Sequence, residues 1–577
     1  MMGRSQKIPR WLIPPVLRRY KAEWVRHDVG AGIQLTAMLI PAGMAYSVAS
    51  GLPPAFGLYA TIAALIAYAV VGPSRVLVLG PDSALAPMIV AALTPLAADD
   101  QQRSAALAAL LALLVGGILL LGSLMRLGNA AGLLSKPIRL GYINGIAVLV
   151  AFSQLPALVG VTVESNTPWE RALITAGKIT AGQTNPVALV LAGVTLALIW
   201  LPRVLRLRIP GIFLGVLVPC LAVAVLNLKG LVHVTGALPA GLPAPALGRL
   251  VGTDIATLFP AAAAIALIVF VDTGALSQSL AAAEGRRVSG NREMAALGTA
   301  NVASGLMGGI PVSASTSRTP VALAAGAKTQ LTGVVGALLV LTFMIAAPGV
   351  TEFLPASALA AVVVAAAIGL AAPTDVLRLI AMSRSESLVM VAAFLGVTVL
   401  GVLQGVAVAV GLALLDFVRQ AWTPYRAELV DVPSIPGYHD VSRHPDGKRV
   451  PGVLILRFDA PLFFGNGSLL GAFVRDELSR APKGTERVVL ASEPITGIDT
   501  TALDDLVQLD EWLSQQHVDL VFAELKGPVK DKLLNYGMSA RFSPEHFFPT
   551  VGAAVRAYQS AKQAASESDS PSDPPTS

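Results

Sequence analysis

Apolar residues recur along this chain in long blocks. From about residue 29 to residue 420 the stretches 29–49, 57–72, 83–97, 104–125, 140–160, 184–201, 211–227, 254–280, 293–308, 314–326, 331–348, 355–371, 387–401 and 403–418 are nearly free of charge. A helix needs about 20 apolar residues to cross a bilayer. The pattern therefore predicts an α-helical polytopic membrane protein with fourteen transmembrane segments. The stretches 83–97 and 314–326 are too short to span alone. After about residue 425 the character changes. Val453-Leu454-Ile455-Leu456 and Val488-Val489-Leu490 read as short buried strands, alternating with helical patterns over 468–478 and 501–513. The expected division is an N-terminal segment 1–28, a membrane domain 29–424, a linker 425–451, a soluble α/β domain 452–562 and a disordered Ser/Pro/Asp-rich tail 563–577.

Composition agrees with this pattern: 54% of residues are hydrophobic and only 14% charged, which excludes an ordinary soluble protein. The net charge of +6 invites a nucleic-acid reading. The basic residues are instead spread through loops between apolar stretches, so no nucleic-acid partner is expected. Cys220 stands alone, which rules out an intramolecular disulfide and argues against a cysteine metal site. No Ser/His/Asp, metal or phosphate-loop constellation is visible. The chain reads as a non-enzyme with no catalytic residues, metal or cofactor. Residues 1–28 are basic and carry Trp11, Tyr20 and Trp24, as in a cytoplasmic segment at the membrane interface, with no cleaved signal peptide. With the N-terminus inside and the crossings alternating, the outer loops hold Arg103, Arg171, Lys178, Lys229 and Arg249. The inner loops hold the larger set running from Arg75 to Arg384. That bias predicts a multi-pass protein of the inner (plasma) membrane with both termini cytoplasmic.

Two of the short stretches carry the candidate chemistry. Gly80-Pro81-Asp82-Ser83-Ala84 and Pro311-Val312-Ser313-Ala314-Ser315-Thr316-Ser317-Arg318 occupy corresponding places in two halves of the membrane domain. Proline suits a first helical turn and serine a cap, so each reads as a half-helix that starts inside the protein. Two such starts, facing each other, make an anion site at membrane depth. Ser83, Ser313, Ser315 and Ser317 supply hydroxyls, and the backbone N–H groups near Ala84 and Ala314 supply further donors. The plain alternative is that proline and serine only kink or cap buried helices. Arg318 lies just inside the second short helix, where an ionisable residue is costly and functional by default, and its planar fork suits an oxyanion. Its alternative is a structural ion pair. Asp272, the one acid in the stretch 259–280, is the candidate for coupling anion binding to a proton or another cation; its alternative is a passive partner of Arg318. Asp82 reads as a helix-start charge, and Glu293 and Glu386 read as interfacial caps.

The motifs Ile40-Pro41-Ala42-Gly43-Met44-Ala45-Tyr46, Pro53-Pro54-Ala55-Phe56-Gly57-Leu58-Tyr59, Gly72-Pro73-Ser74-Arg75, Phe270-Val271-Asp272, Pro311 through Thr319 and Leu354-Pro355 resemble those of the SulP anion transporters, the SLC26 family in animals. The resemblance runs from about residue 24 to 560, and Gly80 through Ala84 is similar to actinobacterial members described as sulfate carriers. It implies two inverted repeats of seven spans. A core of spans 1–4 and 8–11 would move against a gate of spans 5–7 and 12–14, with substrate between spans 3 and 10. It also implies a homodimer and a cytoplasmic α/β STAS domain, which Ile498-Asp499-Thr500-Thr501-Ala502-Leu503 fits. In soluble STAS relatives a Ser or Thr after the aspartate is phosphorylated. Here that is Thr501, or secondarily Thr500; the alternative is that both threonines cap the following helix. Two departures matter. Ala42 stands where members commonly place a glutamine that lines the site. Leu276 stands where sodium-coupled bicarbonate members, which share the aspartate, place a threonine. The second departure favours H⁺ over Na⁺ as coupling ion.

The expected function is secondary active transport of an inorganic oxyanion, sulfate first, coupled to H⁺ by elevator-type alternating access. The competing readings are a bicarbonate or dicarboxylate transporter, with or without Na⁺ coupling, a passive anion channel, and a scaffold acting through an unidentified STAS-binding partner.

Overall fold

The computed structural model describes residues 20–97, 100–128, 135–163, 167–205, 210–239, 250–283, 285–422, 424–433 and 435–568. By internal contacts the chain divides into residues 1–413 and 414–577. In the first unit, one half holds α1 (Val25–Ala49), α2 (Pro54–Val71), strand β1 (Leu79–Gly80), α3 (Ala86–Ala97), α4 (Gln101–Leu124), α5 (Lys136–Leu158), α6 (Pro168–Thr180), α7 (Pro186–Val204) and α8 (Gly211–Val225). The other half holds α9 (Thr253–Ala283), α10 (Gly290–Leu306), β2 (Ser313–Ala314), α11 (Arg318–Ala324), α12 (Leu331–Ala346), α13 (Ala356–Leu370), α14 (Pro373–Met382), α15 (Arg384–Leu400) and the start of α16 (Val402–Trp422), which runs on past residue 413. The two halves repeat one order: two long helices, a short strand, a short helix, two further helices, a short amphipathic helix and two last helices.

Among the described residues, six helices are long and apolar enough to cross a membrane by themselves, and shorter apolar helices accompany them. Large apolar side chains point outward, as at Leu124 (80% exposed) and Val399 (72% exposed). Outward apolar groups with every backbone bond made inside the helix suit lipid rather than water. The amphipathic helices α6 and α14 fall in regions expected to be loops. Each opens on a proline, Pro168 and Pro373, whose fixed φ starts a helix without a loss of hydrogen bonding.

The helices pack as two bundles. In the first, α1 packs on α2 and α12, α2 on α10, and α4 on α9 and α10. In the second, α5 packs on α6, α13 and α15, and α7 on α8 and α13. The α4–α10 contact is close because both faces carry glycine: a Cβ on Gly298 would meet the Gly116 carbonyl at 2.9 Å. At the start of α4, Asp100 accepts from Gln102 N (2.8 Å), and Arg103 bridges to Asp254 at the start of α9 (2.9 Å).

The second unit is a six-stranded sheet in the order β4-β3-β5-β6-β7-β8, built from β3 (Arg426–Val432), β4 (Ile435–Asp440), β5 (Val453–Phe458), β6 (Arg487–Ala491), β7 (Asp519–Ala523) and β8 (Phe547–Phe548). Strands β5 to β8 are parallel; β3 is antiparallel to both β4 and β5. The period-2 alternation of β5 divides its side chains. Leu454, Leu456 and Phe458 pack with Val474 of α17 (Gly467–Arg480) and Leu506 of α18 (Thr500–Gln515). Val453 and Ile455 pack on the other face with Val555 and Tyr558 of α20, which spans Val551–Ser568 after α19 (Gly527–Asn535). Both strands and both helices expected here are present. The expected linker 425–451 is corrected: it contains the β3–β4 hairpin, because Ala427 and Leu429 bury against the sheet core. The expected tail is shortened at its start, since α20 continues to Ser568; residues 569–577 and 1–19 lie outside the described residues.

Candidate functional site

The two short strands meet at the centre of the first bundle's chemistry. β1 and β2 pair antiparallel, with Leu79 opposite Ala314 and Gly80 opposite Ser313. Ser315 N donates to Val78 O (2.9 Å), and Val78 N donates to the Thr319 hydroxyl (3.1 Å). This corrects the expectation that Pro81 and Pro311 sit in first helical turns. Both lie outside any helix, and α3 and α11 begin later, at Ala86 and Arg318. Unwound backbone at membrane depth needs partners inside the protein, and the two segments supply them to each other. From α10, Asn301 acts as a third strand in miniature. Its amide accepts from Val312 N (2.9 Å) and donates to Val312 O (3.1 Å), while Ser304 donates to Ile310 O (2.6 Å).

Arg318 is brought to this crossing by β2 and is 1% exposed. Its Nη2 donates to Pro81 O at 2.5 Å, from the other half of the repeat. Its Nε and Nη1 are buried and have no hydrogen-bond partner. No carboxylate lies within ion-pair distance of it among the described residues; Tyr46 presents its ring 6.0 Å from the guanidinium, and Asp82 acts on it from further away. Glycine at position 80 makes room for it, since a Cβ there would meet Nη1 at 2.9 Å. An arginine in a protein stays charged, and a buried donor left unmade costs about 1–3 kcal/mol. The arrangement is therefore a fixed positive charge with two unused donor nitrogens, at the place where two interrupted helices meet.

Several other expected residues gather here with different roles. Ser83, Ser313 and Ser315 are buried; Ser317 is exposed, and Ala42 is buried in α1. Ser315 Oγ accepts from Arg318 N (3.2 Å) and contacts Ser317 Oγ (3.1 Å). The two backbone donors named from the sequence are already in use. Ala84 N donates to Asp82 Oδ1 (3.0 Å) and Ala314 N to the Thr273 hydroxyl (3.3 Å). Asp272, half-buried on α9, is not paired with Arg318; it accepts from the Tyr142 hydroxyl of α5 at 2.9 Å. Thr273, Asn301 and Tyr142 were not singled out from the sequence. The signal was there: each is a polar side chain within an apolar stretch.

Glu293 is corrected from interfacial cap to buried node. It is 1% exposed and accepts from Tyr68 (2.5 Å), Ser74 (3.0 Å) and Ser277 (2.8 Å). Three hydroxyl donors replace the water a cap would have used. Glu386 does sit exposed in the first turn of α15, donating its N–H to Ser383. Thr500 and Thr501 are exposed in the first turn of α18 in the second unit. The cap there is Asp499, which accepts from Ala502 N (2.8 Å) and Phe464 N (2.9 Å), so neither threonine is needed for capping. Among the described residues no group of three His, Cys, Asp or Glu is placed to hold a metal ion.

Residues 25–393 match the sulfate permease family and residues 444–554 match the STAS domain. A probable sulfate transporter of Mycobacterium tuberculosis is 39% identical over 547 residues, covering 94% of this chain and 97% of the relative. A probable sulfate transporter of Arabidopsis thaliana is 27% identical over 571 residues, 94% of this chain and 90% of the relative. The fold is also that of the murine solute carrier 26 family member A9 anion transporter in its inward-facing state, with TM-score 0.87, 21% identity and 96% of each chain covered. The transmembrane domain of a cyanobacterial bicarbonate transporter superposes with TM-score 0.58 and 22% identity, over 68% of this chain and 99% of that one. The chain belongs to the SulP sulfate permease family: it is a membrane anion transporter with a C-terminal STAS domain, and not an enzyme.

Proposed function

We propose that this protein is a secondary active transporter of sulfate, coupled to H⁺, that works by moving the first bundle against the second. The observation that carries the reading is the buried guanidinium of Arg318 with Nε and Nη1 unpartnered beside the β1–β2 crossing. A tetrahedral dianion offers acceptors in several directions at once, so it meets the two free nitrogens and the hydroxyls of Ser83 and Ser313 together. With the Ala84 and Ala314 amides already engaged, guanidinium and hydroxyl donors, rather than helix-start amides, are the proposed contacts. Ala42, buried in α1, adds no polar contact. The sulfate-transporter names of the relatives at 39% and 27% identity support sulfate over bicarbonate or a dicarboxylate.

Asp272 is the proposed coupling group, because it is the carboxylate on α9 next to Thr273, which itself holds β2. Family membership supports the fourteen crossings, the homodimer, the plasma-membrane location and the cytoplasmic termini that complete this reading. Thr501 is the proposed phosphorylation position in the STAS domain: it is exposed, free of a capping duty and at a helix start, where added negative charge is favoured.

Uptake of labelled sulfate by proteoliposomes, with and without an inward proton gradient, tests the reading. Gradient-stimulated uptake that bicarbonate, fumarate and chloride leave intact is the expected result. Uptake of one of those anions in place of sulfate would move the substrate while leaving Arg318 as the site. Stimulation by sodium instead of protons would replace the coupling ion.

A further inference from the structure

We propose that Tyr142 ties the proton occupancy of Asp272 to the relative position of the two helix bundles. The proposal rests on the transport reading above for its setting, and its geometry is independent of which anion is carried. Tyr142 lies on α5, which packs on α6, α13 and α15; Asp272 lies on α9, which packs on α4 and α10. Their hydrogen bond, 2.9 Å from hydroxyl to Oδ1, therefore runs from one bundle to the other. Tyr142 is 1% exposed, so its hydroxyl has no access to water and is committed to this acceptor. The charged groups that face Asp272 are Arg139, one turn before Tyr142 on α5, and Asp82, ahead of α3. Arg318 donates to Pro81 O and is not among them.

A phenol that donates to a carboxylate favours the charged form of that carboxylate. With the bundles as they stand, Asp272 keeps this donor. Hydrogen bonds fail beyond about 3.5 Å, so a displacement of α9 along α5 by one helical turn, about 5.4 Å, removes the donor. Asp272 then takes a proton more readily. The linkage is reciprocal: a proton already on Asp272 weakens the bond that holds the bundles in this arrangement and so favours the displaced one. A tyrosine here does what phenylalanine cannot. The ring fills the same space, and the single oxygen supplies the coupling.

The test is an infrared pH titration of the protonated-carboxyl band in purified full-length protein. The band is assigned to Asp272 by its loss in Asp272→Asn. Tyr142→Phe keeps the ring and its packing and removes one oxygen. The expected result is a titration midpoint about one pH unit higher in Tyr142→Phe than in the wild type, the loss of one hydrogen bond to a charged acceptor. Proton-driven uptake should shift along the pH axis in the same direction. In an Asp272→Asn background, Tyr142→Phe should change uptake no further. Equal midpoints in wild type and Tyr142→Phe would overturn the proposal while leaving sulfate transport untouched. So would a Tyr142→Phe effect on uptake that persists without the Asp272 carboxyl. Absence of sulfate uptake by the wild type would remove the substrate reading alone, because the infrared midpoint does not depend on the anion.

Discussion

Glu293 and Arg318 are both charged side chains, both 1% exposed and both in the first bundle, yet they are treated in opposite ways. Glu293 receives three hydroxyl donors from α2, the segment after it and α9. Asp28 at the start of α1 is handled likewise: it accepts from Lys328 N, from Thr329 N and Oγ1, and from Thr332 Oγ1, which ties α1 to the start of α12. Arg318 has one carbonyl and two idle nitrogens. A buried charge whose hydrogen-bonding capacity is filled holds the bundle together. A buried charge left partly unfilled is a place for something else, since the protein bears the cost of the open donors until a ligand arrives. On this view the site is distinguished from its scaffold by what it lacks, more than by which residue types it contains.

The comparison can be broken by removing each charge in turn. Arg318→Ala should give the largest effect on transport, a fall in sulfate uptake of about 10²-fold or more from the loss of two charge-assisted hydrogen bonds, with a normal yield of folded protein. Retained uptake would dissolve the contrast. Glu293→Ala should act the other way round. It leaves three buried hydroxyls without their acceptor, at about 1–3 kcal/mol each, so it should lower thermal stability in detergent by about 3 kcal/mol or more. Uptake per folded molecule should change far less than in Arg318→Ala. Asn301→Ala strips both groups of Val312 of their partners. It should cost about 2 kcal/mol of stability and also raise the KM for sulfate, because β2 carries Arg318 into place. Gly80→Ala should be milder still. Its Cβ would crowd Nη1, raising KM by about tenfold (~1.4 kcal/mol), and the backbone at φ +158° would be strained by a side chain, so a small loss of stability should accompany it.

The smallest effect is expected for a charge that is satisfied but exposed. Glu486 in the second unit accepts from Lys562 (2.7 Å) and Tyr558 (2.6 Å), and the Lys562 bond foremost holds its carboxyl below the usual carboxylate range. A depressed carboxyl stabilises the fold above its unfolded pKa and loses that contribution as pH falls through the folded value. Acidification through the carboxylate range should therefore loosen α20 slightly in the wild type. Hydrogen exchange of α20 in the full-length Glu486→Gln protein should show less of that acid response.

The long apolar stretches, the Asp272 and Arg318 positions and the STAS pattern were legible because each is written in a local signal: a hydropathy block, an ionisable residue inside one, an alternation of period two. What was missed depends on contacts between distant segments. Nothing near Pro81 or Pro311 says that the two segments will pair as strands, because each supplies the partner the other needs only after the halves of the repeat come together. Glu293 follows Arg292 and looked like an interfacial cap. Its burial comes from Tyr68, Ser74 and Ser277, which lie in other parts of the chain. Ala84 and Ala314 were named as donors from proximity to a helix start, and the acceptors that claim them, Asp82 and Thr273, appear only in the folded chain. The hairpin at 426–440 read as a linker because its second strand is largely exposed and contains Pro436 and Gly437, poor strand formers; the apolar face of the first strand and the register with β5 decide it.

The most direct test of the contrast is equilibrium sulfate binding to the purified protein and to Arg318→Ala, followed as the sulfate-dependent rise in thermal midpoint. A ligand that binds the folded state alone raises that midpoint with the logarithm of its concentration above Kd. The account predicts a rise in the wild type and none in Arg318→Ala, with Glu293→Gln retaining the rise from a lower starting midpoint. An equal sulfate-dependent rise in Arg318→Ala would contradict it.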